Sequence, residues 1–149
     1  MAKSRPLALA ALAAVAAIGL TSCETVADAT NPALRASMTG SQEVPGPGDT
    51  DGSGSAEISV VDATDNVCFD LTVRNIATAT AAHIHRGESG VSGPPVITLE
   101  APADGSSDGC ISAPGALADE IYANPAGFYV NVHNSEFPNG AVRGQLARS

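Results

Sequence analysis

From Arg35 onward the chain alternates apolar and polar residues in short runs separated by clusters of Gly, Pro, Asp and Ser. A period of two marks half-buried strands, and about seven such runs at close spacing predict an all-β sandwich or barrel rather than βαβ units. "SGSAEISVVDA" puts Ala56, Ile58 and Val60 on one face, and "NVCFDLTVRNI" does the same for Val67, Phe69, Leu71 and Val73. "DATDN" between them reads as a hairpin turn. "PPVITLEAP" is a further strand, with its prolines at the start, where a missing N–H donor is tolerated. "SAPGALADEIYANPAG" is the one helical segment: Leu117 and Ile121 lie four apart and Asn124-Pro125 stops it. Two last strands, "GFYVNVHN" and "GAVRGQLA", flank "SEFPNG", a strong hairpin signal. The expected fold is an antiparallel β-sandwich or barrel of about seven to eight strands, of Greek-key type, with one short helix.

This alternation gives the histidines a direction. His83 and His85 are two apart and share a face, while Ala82 and Ile84 point to the core. In "FYVNVHN", Phe128, Val130 and Val132 form the apolar side, leaving Tyr129, Asn131 and His133 on the other. Across the hairpin, Arg143 and Gln145 fall on the side of His133. Three imidazoles on one rigid face suit Cu(II) or Zn(II), with a further position open to water. Copper is the first expectation and zinc the second, with Asn131, Tyr129 and Gln145 as supporting neighbours. Convergence requires the strand around 80–85 to lie beside the strand around 128–133, which alternation does not decide. The rival reading makes the histidines hydrogen-bonding residues that stitch sheet and loop together.

The N-terminus changes the setting. Lys3 and Arg5 precede an apolar run of about 14 residues, too short to span a bilayer, and "LTSC" follows, matching a bacterial lipobox. Residues 1–22 are therefore expected to be a signal peptide. Residues 23–34 would comprise the lipidated Cys23 and a tether, and residues 35–149 the domain. Cys68 and Cys110 then remain as an even pair in an oxidising compartment, where a disulfide is expected. The whole chain carries a formal charge of −9. Without the signal peptide, five arginines face 16 acidic residues, which argues against nucleic acid as a partner. The membrane, through the lipid on Cys23, and a protein of the cell envelope, through the loop "RGESGVSGPP", are the expected partners.

"MTGSQEVP" (38–45), "TAAHIHRGESGVSGPPVITL" (80–99) and "GFYVNVHNSEFPNGAVRGQL" (127–146) resemble, in order and spacing, the signature blocks of the CHRD domain. The resemblance implies an exported β-sandwich module whose recurring polar positions are His83, His85, Asn131 and His133, with Gly140, Arg143 and Gly144 in the closing hairpin. Arg86 departs from the pattern, standing where a small residue is usual, and is expected to narrow access to the histidines. A more distant similarity is to the copper side of copper-zinc superoxide dismutases. It would make His83, His85 and His133 copper ligands and Arg143 an anion-guiding catalytic residue, but a fourth and a bridging histidine are missing. Fold-level likeness does not carry function. No Ser-His-Asp order, phosphate-binding glycine loop or paired carboxylates point to another enzyme class, and Asp49 and Asp51 lack the spacing of a calcium loop. A non-catalytic, lipid-anchored binding module is the leading expectation, with a dismutase-like copper enzyme or an envelope-interaction module as alternatives.

Overall fold

The computed structural model describes residues 32–61 and 64–148. The predicted signal peptide, Cys23 and most of the tether lie outside them. Among the described residues are β1 (Leu34–Thr39), β2 (Ser53–Val61), β3 (Asn66–Arg74), β4 (Ala79–Arg86), β5 (Pro95–Leu99), β6 (Ser106–Ser112), α1 (Gly115–Ala123), β7 (Phe128–Asn134), β8 (Val142–Gln145) and the two-residue β9 (Ala147–Arg148). Neighbouring strands are antiparallel throughout and follow the order β5-β4-β7-β8-β1-β2-β3-β6 in a nearly closed, barrel-like sheet, with β9 beside β1. β5 and β6 stand at the two ends of this path. The seam falls between β5 and β6, where Ser107 Oγ donates to the Glu100 carbonyl just past the end of β5, at 2.8 Å.

The alternating residues close the interior as the pattern predicts. Ala56, Ile58 and Val60 of β2 and Val67, Phe69, Leu71 and Val73 of β3 are all buried, as are Ala82 and Ile84 of β4 and Phe128, Val130 and Val132 of β7. Each large apolar side chain removed from water in this way contributes roughly 1.5–3 kcal/mol. Ile121 of α1 packs into the same core. On the outer face Cys68 and Cys110 sit directly opposite each other on β3 and β6 and form the expected disulfide.

Two features differ from the sequence reading. Leu34, assigned to the tether, opens β1 and is fully buried, because the β1–β2 register sets it opposite Ile58. The outward side of β7, read only as its polar face, is also buried: Tyr129 and Asn131 are 3% and 2% exposed. Period-two patterning tells which side faces the core. It does not tell whether loops cover the other side, and here the segments 40–48 and 87–94 do so.

Candidate metal centre

The adjacency that the sequence left open is present: β4 pairs with β7, setting Ala81 opposite His133, His83 opposite Asn131 and His85 opposite Tyr129. His133 is therefore diagonal to His83 on the outer face. Ring centroids are 5.1 Å apart for His83 and His133, 5.5 Å for His83 and His85, and 6.3 Å for His85 and His133. One nitrogen from each ring lies within 4.8 Å of the others. Ligands about 2.1 Å from a common ion can stand no more than about 4.2 Å apart. At up to 4.8 Å the widest pair stands beyond that collinear limit, and further beyond the roughly 3.4 Å edge of a tetrahedral site, so the rings must turn inward before all three can share an ion.

The tautomers follow from the partners. His85 Nδ1 lies 2.8 Å from the carbonyl of Gly93, and His133 Nδ1 lies 3.1 Å from that of Pro138. A carbonyl only accepts, so in both rings Nδ1 carries the proton and Nε2 keeps its lone pair. Nδ1–H to a backbone carbonyl is the arrangement that orients histidines at metal sites. His85 Nε2 is buried and has no hydrogen-bond partner within the protein. His133 Nε2 faces His83 Nδ1 at 3.1 Å. Burial is the main cause that holds all three imidazoles below their ordinary pKa of 6.5; repulsion from neighbouring rings adds to it at His83 and His133, and the Arg143 charge adds to it at His85. Neutral rings are the form a metal requires.

Local sequence chemistry builds this arrangement. Asn134 Oδ1 accepts from the backbone N–H groups of Glu136 and Phe137, at 3.0 and 2.8 Å, which shapes the "SEFPNG" turn and brings the Pro138 carbonyl to His133. On the other side, the loop 87–94 folds back over β7. Gly93 O accepts from His85, and Tyr129 Oη lies 3.2 Å from Gly93 N and 3.3 Å from Gly93 O. The Tyr129 ring stacks on His85 at 4.8 Å and 14°. Gln145 Nε2 donates to the Gly87 carbonyl at 2.9 Å and also lies within reach of the carbonyls of Ala126 and Phe128.

Arg143 stands elsewhere than an anion-guiding residue must. It is 2% exposed, its guanidinium carbon is 3.4 Å from the centre of the Tyr129 ring, and its NH2 donates to the carbonyls of Glu88 and Val91 at 2.9 Å each. The structure thus gives Arg143 contacts with the loop and with the Tyr129 ring. Arg86, expected to narrow the site, instead pairs with Glu120 of α1 and lies over Phe128. A buried carboxylate beside the site was missed from the sequence. Glu43 is 5% exposed, accepts a 2.5 Å hydrogen bond from Asn131 Nδ2, and has its pKa pushed up to about 7 by burial, against the opposing pull of Arg143 and Asn131. Its signal was present in "SQEVP", a carboxylate in a Pro-rich turn, but nothing local shows that such a turn folds inward.

Residues 34–146 match the CHRD domain family. The chain belongs to that family. The match takes in β1 through the end of β8, and with them the three histidines, Glu43, Arg143 and the disulfide of this CHRD domain. No curated protein and no solved structure is significantly similar to it.

Proposed function

We propose that this CHRD domain is a non-catalytic, extracytoplasmic binding module that holds Cu(II), and Zn(II) less tightly, on His83, His85 and His133. The observation that carries the reading is the pair of Nδ1–H bonds to the carbonyls of Gly93 and Pro138, which leave the Nε2 lone pairs of His85 and His133 for a shared ligand. Three neutral nitrogen donors fit the preference of Cu(II), which the usual affinity order places above Zn(II). Burial of Arg143 supports a holding role over dismutation.

The module is anchored through a lipid on Cys23, which follows the apolar run and lipobox "LTSC". No helix among the described residues is long and apolar enough to cross a membrane. Partition of the full-length product into detergent, lost in Cys23→Ser, tests the anchor. For the metal, the mature domain is loaded with Cu(II) or Zn(II) and dialysed. One retained copper per chain is expected, and a wild type that holds no more than His83→Ala/His85→Ala refutes the reading.

A further inference from the structure

We infer that Arg143 is a positioning residue of the histidine cluster, acting on His85 through the loop 87–93; only the metal arm of its test rests on the copper reading. Four outward side chains of neighbouring strands are spent on this loop: His85 and Tyr129 meet Gly93, Gln145 meets Gly87, and Arg143 meets Glu88 and Val91. Of these only Arg143 holds the middle of the loop. It also closes a stack, since β8 brings its guanidinium over Tyr129 from one side while β4 brings His85 to the same ring from the other.

The consequence falls on one atom. The Gly93 carbonyl receives His85 Nδ1–H, and Tyr129 Oη lies within hydrogen-bond reach of it, so where the loop sits decides whether His85 keeps its Nδ1–H tautomer and presents Nε2 inward. His133 takes its tautomer from Pro138, in a separate turn that Arg143 does not touch. Arginine suits the task because its planar head stacks on a ring while donating in its own plane, which the compact ammonium of lysine does not do.

Arg143→Lys keeps the charge and removes that geometry. In metal-free protein, imidazole 15N shifts are expected to show a single Nδ1–H tautomer for His85 in the wild type and a mixture in Arg143→Lys, with His133 unchanged. The Cu(II) affinity of the variant is expected to fall about 10- to 100-fold, as for loss of other residues that orient a ligand. Unchanged His85 shifts and affinity overturn the inference, as does a change at His133 equal to that at His85. If Arg143→Lys does not fold, Arg143→Gln, which keeps one planar donor but loses the guanidinium that reaches both loop carbonyls, replaces it, and His85 shifts that stay put in that variant overturn it too. A wild type that binds no Cu(II) but whose His85 tautomer depends on Arg143 refutes the metal reading and leaves the positioning role standing.

Discussion

His83 Nδ1 lies 3.1 Å from His133 Nε2, and because His133 carries its proton on Nδ1, the His83 nitrogen must be the donor. An ion entering the cluster has to displace this hydrogen bond, so His83 must turn or move its proton to Nε2. Metal-free protein is thus held together by the bond that metal would replace.

The same contact sets a pH dependence. Each imidazole is held below 6.5, chiefly by burial, so each stays neutral at a pH where a free imidazole is half charged. NMR titration of the metal-free domain is expected to give midpoints below 6.5 for all three. In His133→Ala the His83 midpoint should rise, since a repelling neighbour and part of the burial are both removed. These depressed values make the folded state bind fewer protons than the unfolded one below 6.5, so their stabilising share is complete above 6.5 and is lost as pH falls through the folded midpoints. Midpoints at or above 6.5 would contradict the buried geometry.

Glu43 runs in the opposite sense. Its pKa, raised from 4.5 to about 7, means that the folded state holds a proton the unfolded chain has released, so stability declines as pH rises from about 4.5 to 7. Glu43→Gln keeps the shape and an acceptor for Asn131 Nδ2. At pH 8 it is expected to stabilise the domain by about 1–3 kcal/mol, and at pH 4 to change little. Denaturant midpoints of wild type and variant across this range give the comparison, and a difference that does not grow with pH would mean that Glu43 ionises freely.

Much of this fold was legible because the core obeys a single rule. Val67, Phe69, Leu71 and Val73 face inward by strict alternation, and Cys68 faces Cys110 because both alternate in the same sense. The histidine face was legible for the same reason. What escaped was the cover over it. Tyr129, Asn131 and Arg143 look like surface residues when read along their strands, yet each is buried by chain 36 to 88 residues away in sequence. Glu43 escaped most completely, because a lone acidic residue in a turn is ordinarily solvated and only the tertiary contact with Asn131 makes it buried.

The disulfide secures an edge. Among the described residues β6 pairs only with β3, and Cys68–Cys110 ties the two strands across 42 positions of sequence. A loop of that length corresponds to about 4 kcal/mol on the chain-entropy account. Cys68→Ala/Cys110→Ala is expected to lose a comparable amount in urea unfolding, with β6 amides exchanging hydrogen fastest among the strands that flank β3. A loss under 1 kcal/mol would show that β6 holds its place through ladder bonds and Ile111 packing alone.

Two glycines of the loop 87–93 separate its position from its flexibility. A Cβ at Gly93 would sit 1.7 Å from the Arg86 carbonyl, so Gly93→Ala must move the strand end or the loop, and with it the carbonyl that holds His85. Gly90 has φ of +79° but open space around it, so alanine there meets only the backbone cost of a left-handed residue, about 1 kcal/mol. Both substitutions stiffen the chain and both add one methyl group. If loop flexibility governed the histidine cluster, they would act alike. If the seat of Gly93 governs it, Gly93→Ala is expected to weaken Cu(II) binding at least 10-fold and to disturb the His85 imidazole shifts, while Gly90→Ala leaves both within twofold of wild type. Isothermal titration with Cu(II) and imidazole 15N spectra of the two variants make the comparison, and equal effects would assign the loop a general rather than a geometric role.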